Sequence, residues 1–153
     1  MDRSLVLDTA AAGAGATALT TATILCLGLD RDASAWAPLN AVSHMPFGDE
    51  AAWHEELSAK YTATGIALHS SAMFMWAGAY AGLMQRLPKQ NLPTAIGAGV
   101  AVSALAYVTD YYVVPRRLTP GFEKRLSSQS IFWIFSALAV GLAAGWSMRA
   151  RRR

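Results

Sequence analysis

Four stretches of this chain, residues 5–29, 61–83, 92–114 and 130–148, are each apolar for about 20 residues, the length that crosses the hydrocarbon core of a bilayer. Polar punctuation closes every one of them. Asp30-Arg31-Asp32 follows the first, and Arg86, Pro88 and Lys89 follow the second. Pro115-Arg116-Arg117 follows the third, and the basic run Arg149 to Arg153 follows the fourth. A chain with this pattern must satisfy its backbone hydrogen bonds inside each stretch, which in lipid means helices. Composition agrees: 54% of the 153 residues are hydrophobic and 15% are charged, against about 25% charged in soluble domains. That excludes a disordered chain and argues against a soluble enzyme. The expected fold is all-α, an integral membrane four-helix bundle forming one transmembrane domain over residues 1–153.

The first stretch is read as a retained helix rather than a signal peptide. Met1-Asp2-Arg3 is only weakly positive, and the apolar part exceeds the usual 7–15 residues or so. Its Ala, Gly and Thr content suits contact with other helices more than with lipid.

Between the first two stretches lies a segment of about 34–56. Ser34 is placed to cap a short amphipathic, interfacial helix carrying Trp36, Leu39, Val42 and Met45 on one side. Pro46 and Gly48 break it. Asp49 then reads as an N-cap, with Glu50 to Trp53 as a first helical turn running towards the second span. On the same side, Pro120-Gly121 marks a turn.

Basic residues near the spans set membrane orientation. One side carries Arg3, Arg86, Lys89, Arg149, Arg151, Arg152 and Arg153; the other carries Arg31, Lys60, Arg116, Arg117, Lys124 and Arg125. The basic tail and the acidic first loop tilt both termini towards the cytoplasm. Beside a span, the tail reads as a lipid-headgroup contact and not as a nucleic-acid site. The expected partners are the bilayer and other membrane-complex subunits. Gly78/Gly82 and Gly141/Gly145 have the spacing that lets helices approach closely, within the chain or in self-association. The five Trp residues fall mostly near span ends, as a headgroup belt would place them.

Ionisable residues inside a span are functional candidates. His69 lies about two turns into the second span and Asp110 about one turn from the end of the third. With His44, Glu50, Tyr107, Arg116 and Arg117 they fall in one half of the molecule, so the topology predicts a polar cluster there. Asp110 is expected to pair with Arg116 or Arg117, and His69 to reach His44 or Glu50. His44, His54 and His69 could ligate a metal ion such as zinc, and His69, Trp76 and the tyrosines could line a quinone pocket. No cofactor follows from a motif. GxSxG, Walker A, CxxC and HExxH are all missing, so an enzyme is not the favoured reading.

Asn40-Ala41-Val42-Ser43-His44, Gly48-Asp49-Glu50-Ala51-Ala52 and the run from Tyr107 through Asp110-Tyr111-Tyr112-Val113-Val114-Pro115-Arg116-Arg117-Leu118-Thr119-Pro120-Gly121-Phe122-Glu123 resemble a family of uncharacterised small four-helix inner-membrane proteins of proteobacteria. The resemblance implies a multi-pass protein of a bacterial inner membrane and carries no activity with it. Three functions are then open. The first is an accessory or structural subunit of a larger membrane complex. The second is an oligomeric transporter or channel for a small solute, proton or metal ion using His69 and Asp110. The third is a membrane redox or metal-binding protein.

Overall fold

A computed structural model describes residues 3–151. Among them the chain is helical with no strand. Four long helices, α1 (Arg3–Arg31), α4 (Tyr61–Arg86), α5 (Leu92–Val108) and α6 (Ser128–Ala150), are joined by short ones, of which α2 (Ala37–Val42) and α3 (His44–Phe47) precede α4. Three segments are long and apolar enough to cross a membrane: Ser4–Arg31, Leu92–Val113 and Ser128–Ala150. The fourth, α4, matches them in length but carries Thr62, Thr64, His69, Ser70 and Ser71. Arg152 and Arg153 of the basic tail lie outside the described residues.

Capping chemistry starts the later helices. The Asn91 side chain accepts from the Thr94 N–H at 3.0 Å, with Pro93 in the first turn of α5. Ser127 accepts from the Ser130 N–H at 3.3 Å at the start of α6. Ahead of α4, Ser58 accepts from the Tyr61 N–H at 3.2 Å while Thr62 Oγ1 accepts from the Ser58 N–H at 2.9 Å. This reciprocal pair satisfies two N–H groups that the helix itself cannot.

α1 packs between α4 and α6, and α5 packs chiefly on α6. The α1–α6 seam is made of small residues. A methyl group on Gly145 would overlap the Ala11 carbonyl, and one on Gly141 would sit 2.7 Å from Ala16 Cα. Gly141 and Gly145 are therefore used inside the chain. Gly78 is half-buried beside Thr9, and Gly82 faces open space. Polar side chains tie further helices together: Tyr80 donates to the Ala95 carbonyl at 3.2 Å and Ser103 to the Phe135 carbonyl at 2.5 Å. Two tryptophans depart from the belt expectation. Trp76 and Trp146 are buried in the core, whereas Trp53 and Trp133 are exposed. A core position lets the large indole fill space between helices built from Ala and Gly.

Residues 32–60 and 115–127 form a cap over one end of the long helices. The segment expected as an amphipathic interfacial helix is different in kind. All six residues of α2 are buried, because it lies against α4, α1 and the turns at Asp49–Trp53 and Phe122–Lys124. Ser34 does accept from the Ala37 N–H at 3.1 Å, as its position predicts. The turn Asp49–Trp53 does not run on into α4. It is a 3-10 turn, and the backbone is extended at His54. Asn40 explains the break. Fully buried, it donates to the carbonyls of His54 and Glu56 at 2.8 and 2.9 Å and accepts from Thr62 at 2.5 Å. Gly121 closes the cap at φ +86°, with the Ala41 carbonyl where a side chain would sit, so only glycine fits.

Arg125 binds the cap loops to one another. Its Nε donates to Asp32 at 2.7 Å, its Nη2 donates to Glu55 at 3.1 Å, and its guanidinium lies 5.9 Å from the Trp53 ring. Burial opposes its charge, but the hydrogen bonds to Asp32 and Glu55 outweigh that and hold its pKa above the ordinary value. Lys124 pairs with Asp49 at 2.8 Å and holds that exposed carboxyl below its ordinary range.

Two outcomes test these contacts by denaturation in mixed micelles. Gly145→Val should lower stability by about 1–3 kcal/mol through overpacking, while Gly82→Ala, which meets nothing, should leave it unchanged. Arg125→Met should cost on the order of 1–3 kcal/mol, because it leaves the largely buried Asp32 without its charged partner.

Candidate functional site

Beneath the cap, α1, α4, α6 and the turn that follows α5 leave a cavity of about 80 Å³ lined by both His69 and Asp110. His69 is buried on α4, and its ring is bonded to α1: Nε2 lies 2.8 Å from Thr20 Oγ1. The Thr20 hydroxyl donates back to the Ala16 carbonyl at 2.7 Å. With that proton committed, the Thr20 oxygen accepts from His69 Nε2–H. In the neutral ring this arrangement places the lone pair on Nδ1. Phe122, from the cap, lies edge-on to the imidazole at 6.0 Å.

Asp110 reaches the same cavity through a local change of helix. α5 widens into a π-helical turn at Thr109–Val113, in which the Val114 N–H donates to the Thr109 carbonyl at 3.0 Å. Pro115 cannot continue the helix and disfavours it at Val114. Such single π turns cluster at functional sites. Asp110 is half-buried there. Its expected partners are elsewhere: Arg116 and Arg117 are exposed on the turn Arg116–Leu118, and no ion pair of either with Asp110 occurs among the described residues. The extended backbone at Val114 and Pro115 leaves the arginines exposed on the following turn instead of folding them over the carboxylate.

The other expected members disperse. His44 is buried in the cap, with Nδ1–H donating to the Ala41 carbonyl at 2.9 Å. Its Nε2 is buried without a hydrogen-bond partner among the described residues. Glu50 is exposed and accepts from Tyr61 at 3.4 Å. His54 is exposed and stacks on Tyr61 at 4.0 Å. His69 thus meets Thr20 and Asp110's cavity in place of His44 or Glu50. No three His, Cys, Asp or Glu side chains among the described residues are grouped to hold a metal ion, so His44, His54 and His69 do not form one site. Tyr107 belongs to a second feature. It packs on Tyr111 and Phe135 at 5.3 and 5.4 Å and lines an open groove between α5 and α6 with Val100, Ala104, Phe132 and Ser136. Trp76, expected beside a quinone with His69, is in the core and does not line the His69 cavity.

Three residues that matter were not among the expected ones. Thr20 was hidden among the Thr and Ala of α1, and nothing local marks it as the partner of a histidine 49 residues away. Asn40 stands out in the sequence only as part of the Asn40–His44 run, and Arg125 only as one more basic residue of its loop. A fourth, Asp8, carried a legible signal: it is an acidic residue inside an apolar stretch, and it is buried in α1.

No protein family, curated protein or solved structure matches this chain.

The Thr20–His69 bond is testable. Thr20→Val keeps the shape and strands the imidazole N–H, which should cost about 1–3 kcal/mol. Thr20→Ser retains the oxygen and should lose only its buried methyl, about 1 kcal/mol, less than the Val variant. Equal loss in both variants, measured in the same micelle titration, would refute the bond.

Proposed function

We propose that the chain is a four-span, multi-pass protein of a bacterial inner membrane and serves as an accessory subunit of a larger membrane complex. α4 is the fourth span in this reading. Its polar residues are accommodated because His69 bonds to α1 and Thr62 bonds to Asn40. Both termini then share the cytoplasmic side and the cap faces the other. The observation that carries the subunit role is the groove along α5 and α6. Its walls are Val100, Ala104 and Ala139, with Phe132 and Tyr107 at its sides, a shape that accepts a partner's membrane helix. Large apolar groups stand exposed along the same two helices at Ile96, Val100, Leu105 and Phe132.

Sidedness and partnership are separate measurements. Single cysteines at positions 3 and 151, in a Cys26→Ser background, should both resist an impermeant maleimide applied from outside the inner membrane. Labelling of one and not the other would sink the four-span count. Ala104→Trp fills the groove and should abolish co-purification of a partner from gently solubilised native membranes, while Ile66→Trp on α4 should not. Recovery of the parent chain alone would overturn the subunit reading.

The shared His69–Asp110 cavity favours a second reading, an oligomeric transporter or channel for a small solute.

A further inference from the structure

The His69–Asp110 cavity offers a ligand two acceptors and no free donor. His69 spends its N–H on Thr20, so Nδ1 remains as a lone pair with no hydrogen-bond partner among the described residues. Asp110 brings a carboxylate with no ion pair or hydrogen bond there. The remaining wall is apolar and mostly aliphatic, with the rings of Phe122 and Phe135 and the thioethers of Met45 and Met73 set into it. Buried His69 and Met73 form the inner end. The half-exposed Asp110 and Met45 and the exposed Leu118 lie towards the outside, so the carboxylate sits nearer the mouth.

Each of these properties selects the occupant. A carboxylate lacking a counter-charge in a low-dielectric setting favours a cation. A neutral imidazole nitrogen favours a group that can donate a hydrogen bond. Aromatic rings attract ammonium groups through the ring quadrupole, and thioethers are polarisable neighbours. The cavity, about 80 Å³, admits only a few heavy atoms. A divalent transition ion is a poor match, since no third His, Cys, Asp or Glu among the described residues joins the pair.

We propose that this cavity is a binding site for ammonium or a short primary alkylammonium ion, with Asp110 as counter-ion and His69 Nδ1 accepting one of its N–H bonds. The proposal deepens the transporter reading by naming its solute class, but binding at the site requires no movement of the ion across the membrane.

The experiment is titration of the full chain in lipid nanodiscs with methylammonium chloride, followed by calorimetry, with sodium chloride at matched ionic strength as the control. One saturable site per chain is expected. Asp110→Asn should weaken it at least tenfold, and His69→Gln, which keeps a polar group opposite Thr20, should weaken it several-fold. Each variant is first checked for the parent's unfolding midpoint, and Asp110→Glu, which restores the charge, should recover binding if the Asn variant folds poorly. No saturable binding by the parent overturns the proposal. So does affinity unchanged in both variants, or sodium competing as well as methylammonium. Methylammonium uptake into proteoliposomes is measured separately: binding without uptake sinks the transporter reading and leaves the site standing.

Discussion

The contact between α1 and α6 is one on which the rest of the structure depends. Within lipid, apolar side chains gain little by leaving one another for hydrocarbon, so helices are held by close packing and by polar bonds. Ala11, Ala12, Gly15 and Ala16 of α1 meet Gly141 and Gly145 of α6 with backbone against backbone. That approach draws α6 in from one side. α4 packs on another side of α1, and α5 packs on α6. Gly99 repeats the device between α5 and α6, and Gly65 repeats it between α4 and the Leu39 carbonyl of α2. Each is a place where a side chain would force the helices apart.

A second layer of order comes from the cap, and there the physics is polar. Asn40 satisfies two carbonyls and a hydroxyl from a position with no exposure. Leaving such groups unpaired in the interior is expensive, which is why one amide can hold the 54–56 loop against the start of α4. Arg125 does the equivalent with charge, joining Asp32 and Glu55, which are 23 residues apart in the chain, through one planar group. The cap in turn supplies Phe122 and Pro120 to the cavity. The site is therefore assembled from the long helices and closed by a layer whose position rests on Asn40 and Arg125.

Much of the helix plan was legible in the sequence. The four apolar stretches foreshadow helices at Arg3–Arg31, Tyr61–Arg86, Leu92–Val108 and Ser128–Ala150, because apolar length and terminal punctuation are local properties. Ser34 and Gly121 were equally readable, since capping and turn chemistry act over a few residues. The candidate site was legible only in outline. His69 and Asp110 stood out as ionisable groups in apolar surroundings, and they do line one cavity. Their partners were not legible. Proximity in sequence suggested Arg116 and Arg117 for Asp110, but the π turn and Pro115 send that chain outward.

By itself, then, the sequence determined that the chain is helical, roughly where its helices begin and end, and which residues are polar in apolar surroundings. These follow from hydrogen-bond satisfaction and side-chain partition, which each segment settles alone. Only the tertiary structure decided that α2 is buried on all sides, that Gly141 and Gly145 serve α1, and that Thr20 orients His69. Those outcomes depend on the rotation of each helix about its axis and on contacts between residues tens of positions apart. Rotation is set by the packing of small residues against backbone, a three-dimensional fit that no local pattern encodes.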